Sequence, residues 1–211
     1  MISSALDIAH TSALRLLVHF ESTPVPRSPN LRDLLLDPAE AAGLDAHGST
    51  DAAVLIPIHG WPGAPGLVFT ERRGDLRRHA GEVSFPGGRR DPGEELIETA
   101  LREAEEEIAL PRDNVEVVGA LPPIGTFVTG YKVHPFVGLI EEGLRFEPNP
   151  EEVESVLVAS LDDLVAGYDR RRLVRRGVPI KTDTYLVGEA LIWGATARIL
   201  GELLERLRPP R

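Results

Sequence analysis

The sequence predicts an α/β fold in which a mixed β-sheet lies between helical layers, and three observations lead to that reading. Short runs rich in Val, Ile and Leu recur at residues 52–58, 67–71, 115–121 and 131–140, with glycine and proline signals between them. Among them lies one amphipathic segment in which Ile97, Ala100, Leu101, Ala104 and Ile108 follow the spacing of a helix with a single core-facing stripe. Helical patterns also stand at both ends of the chain, at residues 4–20 and 188–206, so strands are interleaved with helices. With 211 residues, 42% of them hydrophobic, and no repeat period, the expectation is one domain over residues 1–211. Residues 1–50 are read as an N-terminal helical extension packed on it.

Each element has its own signal. Leu6, Leu14, Leu17 and Val18 form the apolar side of the first helix, and Pro24, Pro26 and Pro29 then make a loop. Residues 30–36 read as a short helix, and residues 37–49 as a loop containing Pro38 and Gly43. The run at 52–58 is a buried strand. Gly60-Trp61-Pro62-Gly63 and Pro65-Gly66 turn it into 67–71 as a hairpin. Residues 81–85 and 115–121 are strands on either side of the amphipathic helix, and 131–140 is a long strand. Residues 156–159 form a short strand, after which Ser160 caps a helix toward Asp163. Residues 173–178 and 183–187 read as a second hairpin, followed by a closing helix over 188–206 with Leu191, Ala195, Ile199 and Leu203 at helical spacing.

Composition excludes several functions. A net charge of −10 argues against nonspecific nucleic-acid binding, which needs a basic surface. The absence of cysteine removes disulfides, zinc–thiolate sites and thiol nucleophiles, and fits a cytoplasmic protein. No apolar run approaches the ~20 residues that span a bilayer, and Asp7 and His10 interrupt any signal-peptide core, so no membrane partner is expected. A monomer or a homodimer remains open. The basic run Arg170-Arg171-Arg172 with Arg175-Arg176 either holds a phosphate, faces a neighbouring subunit, or is solvated, and solvation is the default.

Chemistry concentrates in residues 87–110. Glu103, Glu106 and Glu107 stand at i, i+3 and i+4, so one helix edge carries three like charges that repel one another. A solvated acidic face is the plain reading. The apolar stripe on the opposite side pins the helix to a core, however, and fixes the spacing of the carboxylates at a surface-facing edge. Gly87-Gly88 and Asp91-Pro92-Gly93 form a loop ahead of the helix whose glycines allow close backbone approach, so that a carbonyl there is a candidate further ligand. Hard oxygen donors in this arrangement suit Mg²⁺ or Mn²⁺.

These residues resemble the Nudix box, G-x5-E-x7-R-E-U-x-E-E-x-G-U with U aliphatic. Gly88, Glu94, Arg102, Glu103, Glu106, Glu107 and Leu110 fall on the pattern, and Ala104 fills the first U. Ala109 stands where the pattern has glycine, so the helix is expected to run on by a turn or to end differently. The resemblance implies a Nudix-like α/β/α sandwich and a Mg²⁺- or Mn²⁺-dependent hydrolase of a nucleotide diphosphate. It further implies Glu103, Glu106, Glu107 and the Gly88 carbonyl as metal ligands. Arg102 is the implied orienting partner of Glu103, and Glu94 an implied supporting or water-holding carboxylate. The general base is left open between Glu103 and a carboxylate from elsewhere, with Glu82, Glu151, Glu152 and Glu154 as candidates.

The residues just upstream resemble the coenzyme A diphosphatase branch of that family, whose signature reads L-L-T-x-R-[SA]-x3-R-x3-G-x3-F-P-G-G. Thr70, Arg72, Arg77, Gly81, Phe85, Pro86, Gly87 and Gly88 match, whereas Val68-Phe69 replace the leucines and Arg73 the small residue. The resemblance implies coenzyme A or its thioesters as substrate, with Arg72 and Arg77 as contacts; His79, off the signature, is a further candidate for substrate contact or proton transfer. The planar fork of arginine donors suits phosphate. Another Nudix activity, on ADP-ribose, a dinucleotide or a nucleoside triphosphate, is the alternative. A catalytically idle Nudix-fold module is the third reading, and the full set of box glutamates argues against it.

Overall fold

The computed structural model describes residues 30–74, 81–126, 129–175 and 178–208; the helix expected at 4–20 and the loop after it lie outside the described residues. Residues 30–36 supply a single 3-10 turn, Leu31–Leu34. The loop expected at 37–49 contains a short helix, α1 (Pro38–Gly43). Its cause is local: the Asp37 carboxylate accepts from the N–H groups of Ala39 and Glu40, and Pro38 presets the first turn.

β1 (Thr50–His59) and β2 (Gly66–Arg72) form the expected hairpin, but they are hydrogen-bonded neighbours only at its closed end, Ile58↔Leu67 and His59↔Gly66. Beyond that point they part, and residues 83–89 fill the fork. β3 (Val83–Ser84) pairs with β2, whereas β4 (Gly87–Arg89) pairs with β1 through Val54↔Gly87, Ala53↔Gly88 and Ala52↔Arg89. Between them the Leu55 N–H donates to the Pro86 carbonyl at 2.9 Å. The fit leaves no room for a side chain at Gly87, where a Cβ would stand 2.4 Å from the Ala53 carbonyl oxygen.

After β4 come α2 (Leu96–Ile108), β5 (Glu116–Ala120), β6 (Ile124–Gly125), β7 (Tyr131–Leu139) and β8 (Val153–Ser160). β7 runs parallel to β1 along its whole length, from Thr50↔Tyr131 to Ile58↔Leu139, while β5 and β6 pair antiparallel with β7, and β8 with β2. The sheet is therefore mixed, as the sequence predicts. Alternation along β1 divides the core: Ala53 and Leu55 face α2 with Ala100, Ala104 and Ile108, whereas Ala52, Ile56 and Ile58 face the other side. On that second side Phe69 and Phe85 stack at 4.6 Å between ring centroids.

The chain then forms α3 (Leu161–Ala166), capped as expected by Ser160 Oγ, which accepts the Asp163 N–H at 3.0 Å. The expected second hairpin is a three-stranded meander of β9 (Tyr168–Arg175), β10 (Val178–Val187) and β11 (Ala190–Trp193). The closing helix α4 (Gly194–Leu207) accordingly starts at Gly194 instead of residue 188. Residues 190–193 are claimed by β10, with Ile192 fully buried, and Gly194 at φ +66° makes the break. α4 buries Ile199, Leu200 and Leu203 in the core on the side of the sheet opposite α2. No helix among the described residues is long and apolar enough to cross a membrane.

At the end of α2, Ala109 adopts the left-handed conformation, φ 52° and ψ 36°, and neither extends the helix nor changes how it stops. The Ala109 N–H donates to the Glu105 carbonyl at 3.0 Å and the Leu110 N–H to the Ala104 carbonyl at 3.3 Å, which is the closure a glycine gives. Leu110, 1% exposed, anchors the following residue in the core and holds the alanine there. An L-residue in this conformation costs about 1–2 kcal/mol, part of which a glycine returns as unfolded-state entropy. Ala109→Gly is therefore expected to raise stability by about 1 kcal/mol, or roughly 2–4 °C in Tm, as read by thermal unfolding. An unchanged or lower Tm would show that the turn carries no strain.

Candidate active site

One side chain ties the loop of residues 88–94 to α2. Arg102 Nε and Nη2 donate to the two carboxylate oxygens of Glu94 at 2.9 and 3.2 Å, and Nη2 also donates to the Arg89 carbonyl at 3.3 Å. Its Nη1 donates to Glu103 Oε1 at 2.9 Å and to Glu106 Oε2 at 3.0 Å. Glu94 accepts two more bonds, from Thr99 Oγ1 at 2.7 Å and the Asp91 N–H at 3.2 Å. The bond from Arg102, with help from Thr99 and Asp91, holds the Glu94 carboxyl down to about 2 against the opposing effect of burial. Hydrogen bonding to Glu94 and then Glu103 holds the Arg102 guanidinium well above its usual value.

The three helix glutamates do not share one surface-facing edge. Glu106 is exposed, its side chain 57% accessible, but Glu103 is at 16% and Glu107, as a whole residue, at 7%. α2 lies across β4, so the face carrying residues 103 and 107 meets the glycine strip. A Cβ on Gly88 would stand 2.3 Å from Glu103 Oε1, and Glu107 Oε2 accepts the Gly87 N–H at 3.2 Å. Burial pushes the Glu107 carboxyl up to about 8; the Gly87 bond and Arg72 oppose this, while the charges of Glu103 and Glu152 add to it. Glu103 is raised for the same first reason, with Arg102 opposing.

Arg72, at the end of β2, lies 3.6 Å from Glu152 Oε2. The segment bearing Glu152 is pinned to the helix end, since the Asn149 N–H donates to the Glu107 carbonyl at 2.9 Å and the Glu147 N–H to the Ile108 carbonyl at 3.1 Å. Of the acidic residues weighed at 151, 152 and 154, Glu152 is the one whose charge bears on Glu103 and Glu107. The Glu82 carbonyl accepts the Arg72 N–H at 3.0 Å. Arg77 and His79 lie outside the described residues. Sequence reasoning missed Thr99, a fully buried threonine that locks Glu94; a hydroxyl one position from the apolar stripe was its signal.

As the side chains stand, no three His, Asp or Glu among the described residues converge closely enough to hold a metal ion. Arg102 Nη1 lies between Glu103 and Glu106 instead. The donor chemistry nevertheless fits a hard divalent cation: one buried and one half-buried carboxylate at the glycine strip, each raised by burial and by neighbouring acidic charge, form a site that added positive charge would relieve.

Fold and site together define an α/β protein with an acidic helix seated on a glycine strip in a forked mixed sheet. Residues 49–177 match the family model described as the NUDIX domain. A protein of Pectobacterium atrosepticum described as uncharacterized Nudix hydrolase NudL is 42% identical over 160 residues, covering 74% of this chain and 82% of that protein. A protein of Escherichia coli with the same description is 43% identical over 155 residues, covering 72% and 80%. The crystal structure of a MutT/nudix family protein from Enterococcus faecalis superposes with a TM-score of 0.51 at 13% identity, covering 75% of this chain and 61% of that one, and shares the fold. The chain belongs to the Nudix hydrolase family.

The raised Glu107 carboxyl gives a stability test. A carboxyl whose folded value, about 8, exceeds its ordinary 4.5 contributes stability that is complete below pH 4.5 and is lost as pH rises through 8. In metal-free protein, Glu107→Gln, which keeps an acceptor for the Gly87 N–H, is expected to match wild type in Tm near pH 4.5 and to exceed it increasingly up to pH 8. Parallel Tm–pH curves for the two proteins would contradict the burial of this charge.

Proposed function

We propose that this Nudix hydrolase cleaves the diphosphate bond of coenzyme A or its thioesters, giving 3′,5′-ADP and 4′-phosphopantetheine or its acyl form, with Mg²⁺ or Mn²⁺. The observation that carries diphosphate hydrolysis is the Arg102-anchored carboxylate set on the Gly87–Gly88 strip. The choice of coenzyme A rests on the upstream run from Thr70 to Gly88 and its resemblance to the coenzyme A diphosphatase signature. The alternative substrates are ADP-ribose, a dinucleotide or a nucleoside triphosphate. Residues 1–211 are read as one domain.

In this reading Glu103, Glu106, Glu107 and the Gly88 carbonyl hold the metal, with Glu103 and Glu106 turning away from Arg102 Nη1 to do so. When bound, the ion neutralises diphosphate oxygens and lowers the pKa of water. The chain's own work is positional. Arg102 and Glu94 keep the loop and helix in register, and Gly87 and Gly88 let the Glu103 and Glu107 carboxylates come right up to the backbone of β4. Water attacks one phosphorus, its proton passes to a carboxylate, and the bond from that phosphorus to the bridging oxygen breaks. Glu152, whose charge bears on Glu103 and Glu107, is the proposed outside carboxylate for that proton, with Glu103 the other candidate. Arg72, Arg77 and His79 are the proposed substrate contacts.

Incubation with coenzyme A, ADP-ribose and NADH, with Mg²⁺ and then Mn²⁺, is expected to release 3′,5′-ADP from coenzyme A. Cleavage of ADP-ribose with coenzyme A untouched would overturn the substrate. Glu107→Gln is expected to lower turnover by about a hundredfold or more, since it removes ligand charge where the metal works; wild-type turnover in that variant would sink the metal assignment.

A further inference from the structure

Among the described arginines around the loop, Arg89 has no acidic partner. The other described arginines around the loop are engaged: Arg72 with Glu152, Arg73 with the Pro150 carbonyl, Arg90 with Asp51 and the Glu94 carbonyl, and Arg102 with three glutamates. Arg89 has no carboxylate partner among the described residues, although the chain carries 33 acidic residues against 23 Lys and Arg, which makes an unpaired guanidinium beside an acidic site notable. Its backbone is nonetheless fixed, through the Ala52↔Arg89 register and the Arg102 bond to its carbonyl.

The register also sets its direction. Directly opposed residues of an antiparallel pair share a face. Gly88, opposite Ala53, therefore lies on the α2 face, where Glu103 crowds it, and Arg89, opposite Ala52, lies on the other. A cavity of about 390 Å³ lies at this end of β1 and β4, lined by Arg89 together with Ser49, Thr50 and Arg90, with Asp51 and Asp91 also on its wall. Arg90 already partners Asp51, which leaves Arg89, Ser49 and Thr50 as the lining residues that can donate to an anion. Arg102, whose Nη1 holds Glu103 and Glu106, also bonds the Arg89 carbonyl, so the end of β4 that lines this cavity adjoins the acidic edge of α2.

We propose that this cavity is a second subsite, in which Arg89 holds a phosphoryl group of the substrate other than those at the carboxylates. The inference rests on the diphosphatase reading for its substrate class, and it makes Arg89 a substrate-binding residue that selects nucleotides with an additional anionic group. Paired donors on a phosphate give strong, directional bonds, so the arginine fork and not merely its charge is required.

Because the subsite is separate from the carboxylates, it is testable by binding without metal or turnover. Calorimetric titration of metal-free protein with 3′,5′-ADP is expected to show Kd rising about tenfold or more in Arg89→Ala, the loss of one charge-assisted contact. Arg89→Lys is expected to fall between, and Arg172→Ala, an exposed cation on β9, to bind as wild type does. Equal affinity in wild type and Arg89→Ala, equal losses in Arg89→Ala and Arg172→Ala, or no binding by wild type would each overturn the proposal. Thermal unfolding of Arg89→Ala separates a binding loss from a folding loss, and Arg89→Lys carries the test if the alanine variant unfolds. Failure of coenzyme A turnover with this binding pattern intact would remove the substrate reading alone.

Discussion

The geometry of the site depends on one guanidinium. Arg102 spends its planar fork on Glu94, Glu103, Glu106 and the Arg89 carbonyl, so a single residue of α2 fixes the loop ahead of the helix and two carboxylates on it. No lysine offers that many directed donors from one planar group. Glu94 is the permanent partner: it is held ionised by Arg102, Thr99 and the Asp91 N–H, and its bonds are all internal to the loop and helix. Glu103 and Glu106 share one nitrogen of the same group, and that shared contact is the one a cation would replace.

The fork between β1 and β2 explains why acidic side chains can be held at the sheet. A continuous hairpin would leave no gap; here the strands separate beyond Ile58↔Leu67, and a segment with two glycines completes both ladders. The glycines let α2 approach until Glu103 rests on Gly88 and Glu107 on the Gly87 N–H. Burying Glu107 beside other acidic groups is unfavourable for an ionised carboxylate, and its raised proton affinity is the direct expression of that. Local destabilisation of this kind accumulates at functional sites, and the left-handed Ala109 at the end of the same helix is a second instance.

Much of this was legible in the sequence, and the failures have physical reasons. The mixed sheet, the β1–β2 hairpin, the amphipathic α2 and the Ser160 cap all follow from local pattern. The glutamates were visible as a group, but helical spacing shows only that residues 103, 106 and 107 are near one another. Which of them the glycine strip covers depends on β4 pairing with β1, a contact distant in sequence. Residues 190–193 carry apolar spacing compatible with a helix, and β10 takes them as a strand. Ala109 defeats a propensity argument because Leu110 is anchored in the core and the chain must turn before it. Thr99 was overlooked because a hydroxyl beside the apolar stripe does not show which group it bonds, and Arg89 because an isolated arginine carries no pattern at all.

The proposed function requires Glu103 and Glu107, crowded against the glycine strip, to hold a divalent cation. A cation that takes Glu107 as ligand must displace the proton this carboxyl retains near neutral pH. Titration of the metal-free protein with Mn²⁺ at pH 7, by calorimetry in two buffers of different ionisation enthalpy, measures that proton directly. The account predicts release of about one proton for the first ion bound, and its disappearance in Glu107→Gln. Mn²⁺ binding without proton release, or no Mn²⁺ binding, would contradict it.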